Sequence, residues 1–323
     1  IFKKFWKFII ISKFRFAPKD YLTLAENLGI IDTKRASKVS GTRFGYLLGW
    51  AARLEIALIE FAFKHLLNKE FIAQVIKKKK LSLKLTPFVP VMPPVLINKE
   101  SMWGMGYLER GEAEIYRIEK DNLYLVGTSE QSIGPMHKDD VFGARDLPKR
   151  YLGFSSCFRR EAGSYGKDTK GILRVHQFDK LEMFSFSLPA SSEEEHKLLL
   201  GIAETLWQKL EIPYRIISIC TGDLGDSAAE KFDLEAWLPG SNDGQGEYRE
   251  VHSSSNTTDF QSRRLKIKYD GGGSGTGFVH LLNGTAFPIG RTIAAILENY
   301  QTKEGWIAVP RALKPYLKVP VMK

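Results

Sequence analysis

The stretch from Phe154 to Phe186 constrains the fold more than any other part of this 323-residue chain. Arg159 and Glu161 close one apolar run, Phe154–Phe158. A dozen polar, Gly-rich residues follow, and then an alternating run extends from Leu173 to Phe186. Alternation with period two predicts two strands joined by a long loop. In the second strand Arg174, His176, Phe178, Lys180 and Glu182 share parity and hence one face; Leu173, Val175, Leu181 and Met183 mostly take the other. Arg159 and Glu161 also share parity in the first strand. A face carrying these residues has cations for phosphate, an aromatic plane for a base and a carboxylate for an amine. A solvent-facing strand carries such residues too, but the aromatic inside the row argues against that reading.

Around this pair the chain reads as a mixture of helices and strands. Residues 18–40 form a connector with turn residues Pro18, Asp20, Asn27, Gly29 and Asp32. From Gly41 to about Ile76 there is no proline. Phe44, Leu47, Leu48, Ala51, Leu54, Leu58, Phe61 and Ala62 recur there at helical spacing, which predicts one long amphipathic helix. The segment 85–98 is too rich in proline for a helix and reads as interrupted extended chain. Short strands are expected at Ala113–Ile118 and Leu123–Val126. Ser191 to Glu195 should cap a helix to about Leu210, with the acids serving as a capping box. Pro213–Cys220, Leu234–Trp237 and Tyr248–Val251 read as further strands, and Thr292–Tyr300 as a helix. The run GGGSGTG at 271–277 lacks a following Lys-Ser/Thr and a preceding apolar strand, so it reads as a hairpin tip, not a phosphate loop.

Composition narrows the class. A hydrophobic content of 43% with 26% charged residues is that of a soluble globular protein, and the length permits two or three domains. No apolar run approaches the ~18 residues that span a bilayer. Cys157 and Cys220 fit no metal spacing and no disulfide framework, so they read as strand-borne thiols in a reducing compartment. Residues 1–80 hold 17 Lys and Arg against 6 Asp and Glu, which accounts for the whole net charge of +10 and gives a polyanion a place to approach. The run Lys77–Lys80 by itself reads as a solvated turn. The basic, acid-free opening IFKKFWKFIIISKFRF has an apolar core, Phe8–Ile11, shorter than a signal segment requires. It reads as an edge strand or the remnant of an upstream domain.

The FRxE segment, long loop and HQFxKxEMF return strand resemble the second signature of class II aminoacyl-tRNA synthetases, in the form carried by the seryl-tRNA synthetase family. The segment 93–108 is similar to that family's first signature and its continuation. GTSEQSIGPMH at 127–137 resembles its Thr-Ala-Glu serine-binding segment, with Ser129 in place of Ala. YREVHSSSNTTDFQSRR at 248–264 resembles its Glu-x-x-Ser block, and 281–301 resembles its third signature. The resemblance covers roughly residues 30–315. It implies an α+β fold, a class II synthetase-like antiparallel β-sheet flanked by helices with a short irregular N-terminal segment. Residues 41–323 would be the catalytic domain.

The resemblance implies that L-serine and ATP form seryl-adenylate, and that serine then passes to tRNA(Ser). Both attacking and leaving oxygens are anionic, so such a reaction calls for alignment and charge neutralisation. Arg159 suits a bridge between the α-phosphate and the serine carboxylate, and Arg291, just before a helix, suits the β/γ-phosphate end. Arg160, Glu161, His176, Phe178, Glu250, Val251, His252 and Ser253 complete the implied ATP site. Phe178 would stack on adenine, and His176 serves equally well as a structural histidine. Glu250 and Ser253 offer hard oxygen ligands for Mg²⁺. For serine, Thr128 and Glu130 would share a strand face, joined by Ser129, Arg159, Glu182, Asn283 and Thr285. Many seryl enzymes carry Ser at the Thr285 position, which preserves the hydroxyl, and the Ser129 side chain should point away from Thr128.

Seryl enzymes also carry a long N-terminal coiled coil that grips the tRNA. Here 40 residues precede the first long helix and none shows sustained heptads, so residues 1–40 stand as a remnant of, or substitute for, that arm. The alternative is an arm-less paralogue or truncated form that makes seryl-adenylate for a non-tRNA acceptor such as a carrier protein, or charges tRNA poorly. A cytoplasmic homodimer, joined through 41–98, and no membrane association complete the expectation.

Overall fold

The computed structural model describes residues 3–5, 14–109, 111–163, 168 and 170–323; Phe8–Ile11 and loop positions 164–167 and 169 lie outside that description. Residues 18–40, expected as a connector, hold two short helices, α1 (Tyr21–Asn27) and α2 (Thr33–Ser40). Two of the residues read as turn formers, Asp20 and Asp32, are their N-caps. Asp20 accepts from the amides of Leu22 and Thr23 at 3.0 Å, and Asp32 from that of Arg35 at 2.7 Å. The long helix expected over 41–76 is two, α3 (Trp50–Leu66) and α4 (Lys69–Lys79). Asn68 divides them by capping α4, its side chain accepting from Phe71 N at 2.8 Å. Ala51, Leu54, Leu58, Phe61 and Ala62 are buried as the periodicity predicts, whereas Phe44, Leu47 and Leu48 precede the helix. Three further helices matter for the site: the single turn α5 (Glu130–Ile133), α6 (Ser192–Lys209) and α7 (Ile289–Asn299).

An eight-stranded sheet forms the centre. Its strands in chain order are β1 (Lys3–Phe5), β2 (Val89–Val91), β3 (Lys149–Phe158), β4 (Gln177–Ser187), β5 (Tyr214–Ser218), β6 (Glu230–Leu238), β7 (Glu247–Asn256) and β8 (His280–Pro288). The spatial order is β1-β5-β6-β7-β8-β4-β3-β2, antiparallel except for the β2–β3 edge. The return strand begins at Gln177, not Leu173, because residues 173–176 run through bends. Every residue of β4 from Lys180 to Ser187 is buried, since both faces of the sheet are covered. Leu181 and Met183 join the main core beneath α3, α6 and α7. Phe184 and Phe186 join a second core with Ile133, Phe142 and Leu265 on the opposite face.

Smaller expectations resolve in the same way. The 113–118 strand is a short helical turn followed by the two-residue strand Arg117–Ile118. Residues 272–274 are the tip between strands Lys268–Asp270 and Thr276–Phe278. Cys157 is buried in β3, but Cys220 lies beyond the end of β5, and both are free thiols. Among the described residues no helix is long and apolar enough to cross a membrane.

The acids at the start of α6 do not form a capping box. Ser191 makes no side-chain cap bond, and Glu195 is fully buried against Arg150 of β3. Arg150 donates from Nε and Nη2 to the two Glu195 oxygens at 2.6 and 2.8 Å, and from Nη1 to the Thr86 carbonyl. Ser185 of β4 donates to Glu195 Oε1 at 2.8 Å. This bidentate pair ties α6, two strands and the segment entering β2 into one unit. Removing one partner leaves the other charge buried and unpaired. Glu195→Ala is therefore expected to lower the unfolding free energy by about 3–5 kcal/mol, measured by urea titration; a loss near that of a surface substitution would show that the pair is not an anchor.

Candidate active site

The site lies where the strands of the sheet part. The β7–β8 ladder holds only from Asn256↔Leu282 to Ser254↔Gly284. Register shifts fall between Leu181 and Glu182 on β4 and between Leu234 and Glu235 on β6. A cavity of about 550 Å³ occupies the gap. Backbone groups freed by such an opening need other partners. The carbonyl of Thr285 takes one from the imidazole of His252, whose Nδ1 must carry the proton because a carbonyl only accepts.

One end of the cavity gathers buried charges. Thr128, Glu130, Glu182, Asn283 and Thr285 line it, together with Tyr107 and Lys180, which the sequence reading did not assign. Glu182 Oε2 accepts from Thr285 Oγ1 at 3.2 Å and pairs with Lys180 Nζ at 2.6 Å. Tyr107 donates its hydroxyl to Glu130. Thr128 and Glu130 do not share a strand face. Glu130 opens the turn α5, which brings its carboxylate over the sheet. That close approach depends on Gly153 of β3, where a Cβ would lie 2.7 Å from Ser129 Oγ and 2.6 Å from Ile133 Cδ1. Ser129 thus packs down on β3 and lines no part of the cavity, whereas Thr128 does; neither buried hydroxyl has a hydrogen-bond partner among the described residues. Burial, and then the Glu182 charge, push the Glu130 carboxyl up to about 7, against the opposing influence of Lys180, Tyr107 and Arg159.

The other end is more open. Arg159, Glu161, Phe178, Glu250, Val251, His252, Ser253 and Arg291 line it. Arg159 donates from Nε to Gly127 O at 3.2 Å, and its guanidinium carbon lies 5.2 Å from the centroid of the Phe178 ring. Glu161 pairs with Arg174 at 2.7 Å. Arg291 sits inside the first turn of α7, not before it, and holds the Leu173 and Glu250 carbonyls at 3.1 and 2.7 Å. Arg160 is exposed on the far side, and its amide donates to Glu114 O. His176 also stays outside: its Nδ1 lies 3.0 Å from Arg159 O and its ring packs on Phe44, so it braces the backbone that carries Arg159. The His252 ring, held neutral by burial with its pKa down at about 4, faces Thr285 and not a nucleotide.

Glu250 and Ser253 were tested as cation ligands. Ser253 stands opposite Asp233 in the β6–β7 register, and burial pushes the Asp233 carboxyl up to about 6. The Ser253 hydroxyl lines the cavity, and the Glu250 carboxylate beside it is half-exposed. Among the described residues no three His, Cys, Asp or Glu side chains form a cage. This sparse set of hard oxygens fits a Mg²⁺ that takes its remaining ligands from phosphates and water.

Lys180, Tyr107 and Arg174 are among the lining residues that sequence reading did not assign, as are Asp226 and Lys231; Asp233 stands behind Ser253. Lys180 and Arg174 were visible in the same-parity row, and Tyr107 within the 93–108 segment. Asp233 carried no local signal, because only the β6–β7 register sets it opposite Ser253.

Two outcomes follow from this geometry. Gly153→Ala should displace α5 and weaken binding at this end of the cavity, read as a rise of about tenfold in the KM of the substrate seated there with an unchanged melting profile for the rest of the fold. The carboxyl of Glu130 has a folded pKa above its ordinary value of 4.5, so its contribution to stability is present below that value and is lost as pH rises through about 7. Ligand-free Glu130→Gln should therefore melt above the unmodified protein at pH 8 and converge with it at acid pH; equal melting temperatures throughout would contradict the raised carboxyl.

The family model described as tRNA synthetase class II core domain (G, H, P, S and T) matches residues 114–300. The serine--tRNA ligases of Acidothermus cellulolyticus and Thermobifida fusca are 48% and 47% identical over 310 residues, which is 96% of this chain and 69% and 68% of theirs. The crystal structure of seryl-tRNA synthetase from Pyrococcus horikoshii complexed with ATP superposes with a TM-score of 0.84 at 43% identity, covering 96% of this chain and 65% of that one, just under two thirds of its length. Prolyl-tRNA synthetase of Giardia lamblia, 16% identical with a TM-score of 0.70, shares the fold. By these likenesses and by its antiparallel sheet flanked by helices, the chain belongs to the serine--tRNA ligase family of class II tRNA synthetases.

Proposed function

We propose that this protein activates L-serine with ATP to seryl-adenylate and transfers the seryl group to tRNA(Ser). The observation that carries the reading is one cavity with two chemically distinct ends. Buried carboxylates and an unpartnered Thr128 hydroxyl stand at one, and Arg159, Phe178 and Arg291 at the other. The family to which the chain belongs, and a relative solved with ATP, support the assignment of the ends.

In this reading Glu130 and Glu182 accept from the serine ammonium and hydroxyl, with Thr128 and Thr285 completing the polar contacts. Alanine lacks the hydroxyl and would leave buried acceptors unpaired, which is a strong basis for rejection. A carboxylate oxygen of serine forms a bond to the α-phosphorus while the bond to the bridging oxygen breaks and pyrophosphate leaves. Arg159 spans the two reacting anions, and Phe178 supplies a face for adenine. Arg291, in the first turn of α7, neutralises the leaving phosphates with help from the helix N-terminus. Mg²⁺ held by Glu250 and Ser253 would neutralise phosphate charge there. A ribose hydroxyl of tRNA then attacks the carbonyl carbon and AMP leaves.

The same reading makes the protein a cytoplasmic homodimer. Val89 and Met92, 54% and 67% exposed at the edge strand β2 and just beyond it, give the 41–98 segment apolar surface for a second copy.

ATP–pyrophosphate exchange should depend on both L-serine and Mg²⁺. Exchange with alanine at a comparable rate would overturn the pocket assignment, and no exchange with serine would overturn the function. Arg159→Ala should lower exchange by at least about a hundredfold. Serine transfer to tRNA, measured beside exchange, reads the second step: exchange without transfer would point to a different acceptor.

A further inference from the structure

Lys180 has no part in the reaction as derived so far, yet its buried side chain lines the cavity. It stands 2.6 Å from Glu182 Oε2, the oxygen that also accepts from Thr285 Oγ1 at 3.2 Å. Both neighbours of Oε2 are donors, so that oxygen is occupied and Oε1 is left for a substrate. Glu130 lines the same cavity, near enough to Glu182 for the two charges to oppose each other. Two carboxylates at a buried cavity do not both remain ionised without a cation between them. Arg159 is held by Gly127 O and lies over Phe178, so it acts on Glu130 less than Lys180 does, and Lys180 is the cation in contact with Glu182.

The groups whose charge acts on this spot come from four directions. Glu182 is on the same strand, Cys157 and Arg159 are on and just beyond β3, Glu130 is on α5, and His252 is on β7. The Cys157 thiol is pushed up by burial and the His252 imidazole is held down at about 4, so neither changes charge around neutral pH. The two carboxylates are therefore the groups that a change at Lys180 would move.

We propose that Lys180 is a positioning residue that sets amino-acid specificity: it pairs with Glu182 and pins its Oε2, so that Oε1 is left to accept from the substrate. The proposal rests on the reading of this end as the serine pocket. With Lys180 present the Glu130 carboxyl already stands at about 7, so without the ammonium the proton is held to higher pH and the pocket lacks an acceptor across the neutral range. Raising the pH expels that proton and restores it.

The test compares Lys180→Met and Lys180→Arg with the unmodified protein in two measurements. In ATP–pyrophosphate exchange, K180M should raise the serine KM about tenfold or more at neutral pH while the ATP KM stays within about twofold, a split that a general loss of structure would not give. The serine deficit should shrink toward about pH 9, and K180R should recover most of it. In thermal melting without ligands, K180M should lose more stability than the unmodified protein as pH rises from 5 to 8, because two carboxylates then ionise with no partner. An unchanged serine KM, an equal rise in the ATP KM, a deficit of the same size at every pH, or parallel melting profiles would each overturn the role of Lys180. Absence of serine-dependent exchange in the unmodified protein, with the melting profiles still diverging, would overturn the serine reading and leave the charge-keeping role standing.

Discussion

A strand buried on both faces has nowhere to put a charge except against another charge. β4 is such a strand, and it carries Lys180 and Glu182 two residues apart, both buried. Water does not reach them freely, so each must be compensated by protein groups whose positions the rest of the fold then has to hold. Thr285 from β8, Glu130 and Tyr107 from the covering layer, and Arg159 from the end of β3 are those groups. Lys180 and Arg159 oppose the burial and the Glu182 charge that push the Glu130 carboxyl up to about 7. In the proposed reaction a zwitterionic amino acid would add one charge of each sign and so enter without changing the net charge of the pocket.

The cavity exists because the sheet fails locally. Two register shifts and a ladder that stops at Gly284 pull β7 away from β8. A gap in a sheet is costly when it leaves backbone groups without partners, and His252 prevents that by bonding the Thr285 carbonyl from behind. The same bond fixes the residue whose hydroxyl meets Glu182. Gly153 contributes from the other side, since only a residue without Cβ lets the 128–133 segment settle onto β3. Behind both, the Arg150–Glu195 pair locks α6 to the sheet, so the opening is a feature of a stiff frame and not of a loose one.

Much of this was legible in the sequence because the residues that do chemistry sit on strands whose alternation declares their faces. Phe178 and Glu182 were assigned to one face by parity, and both line the cavity. Family likeness supplied Thr128, Glu250, Ser253 and Thr285, which no local pattern would have joined. What parity could not give is where a strand begins. Arg174 and His176 fit the alternation yet lie in bends, because backbone direction there is set by contacts with residue 43 and the Arg159 backbone. Caps were misread for a related reason. Asp20, Asp32 and Asn68 carry the same short polar side chains that make turns, and only the following amides reveal them as helix starts. Glu195 looked like a capping acid because burial is invisible in a run of three glutamates.

The two ends of the cavity work under different electrostatic conditions, and this difference divides the labour between them. At the amino-acid end Glu182 and Lys180 side chains are almost wholly enclosed, so a misplaced or missing hydrogen bond is felt at nearly full strength. Discrimination between similar amino acids belongs there. At the nucleotide end the Glu250 side chain is 50% exposed and that of Arg291 28%, so their charges are screened by solvent. Screened cations hold polyphosphate loosely, which suits a product that must leave, but they are too weak alone to neutralise the charge that builds on the leaving phosphates. In the proposed reaction a divalent cation held by Glu250 and Ser253 would supply the missing field without burying another protein charge. The β6–β7 ladder that sets Ser253 opposite Asp233 carries one of the register shifts that open the sheet.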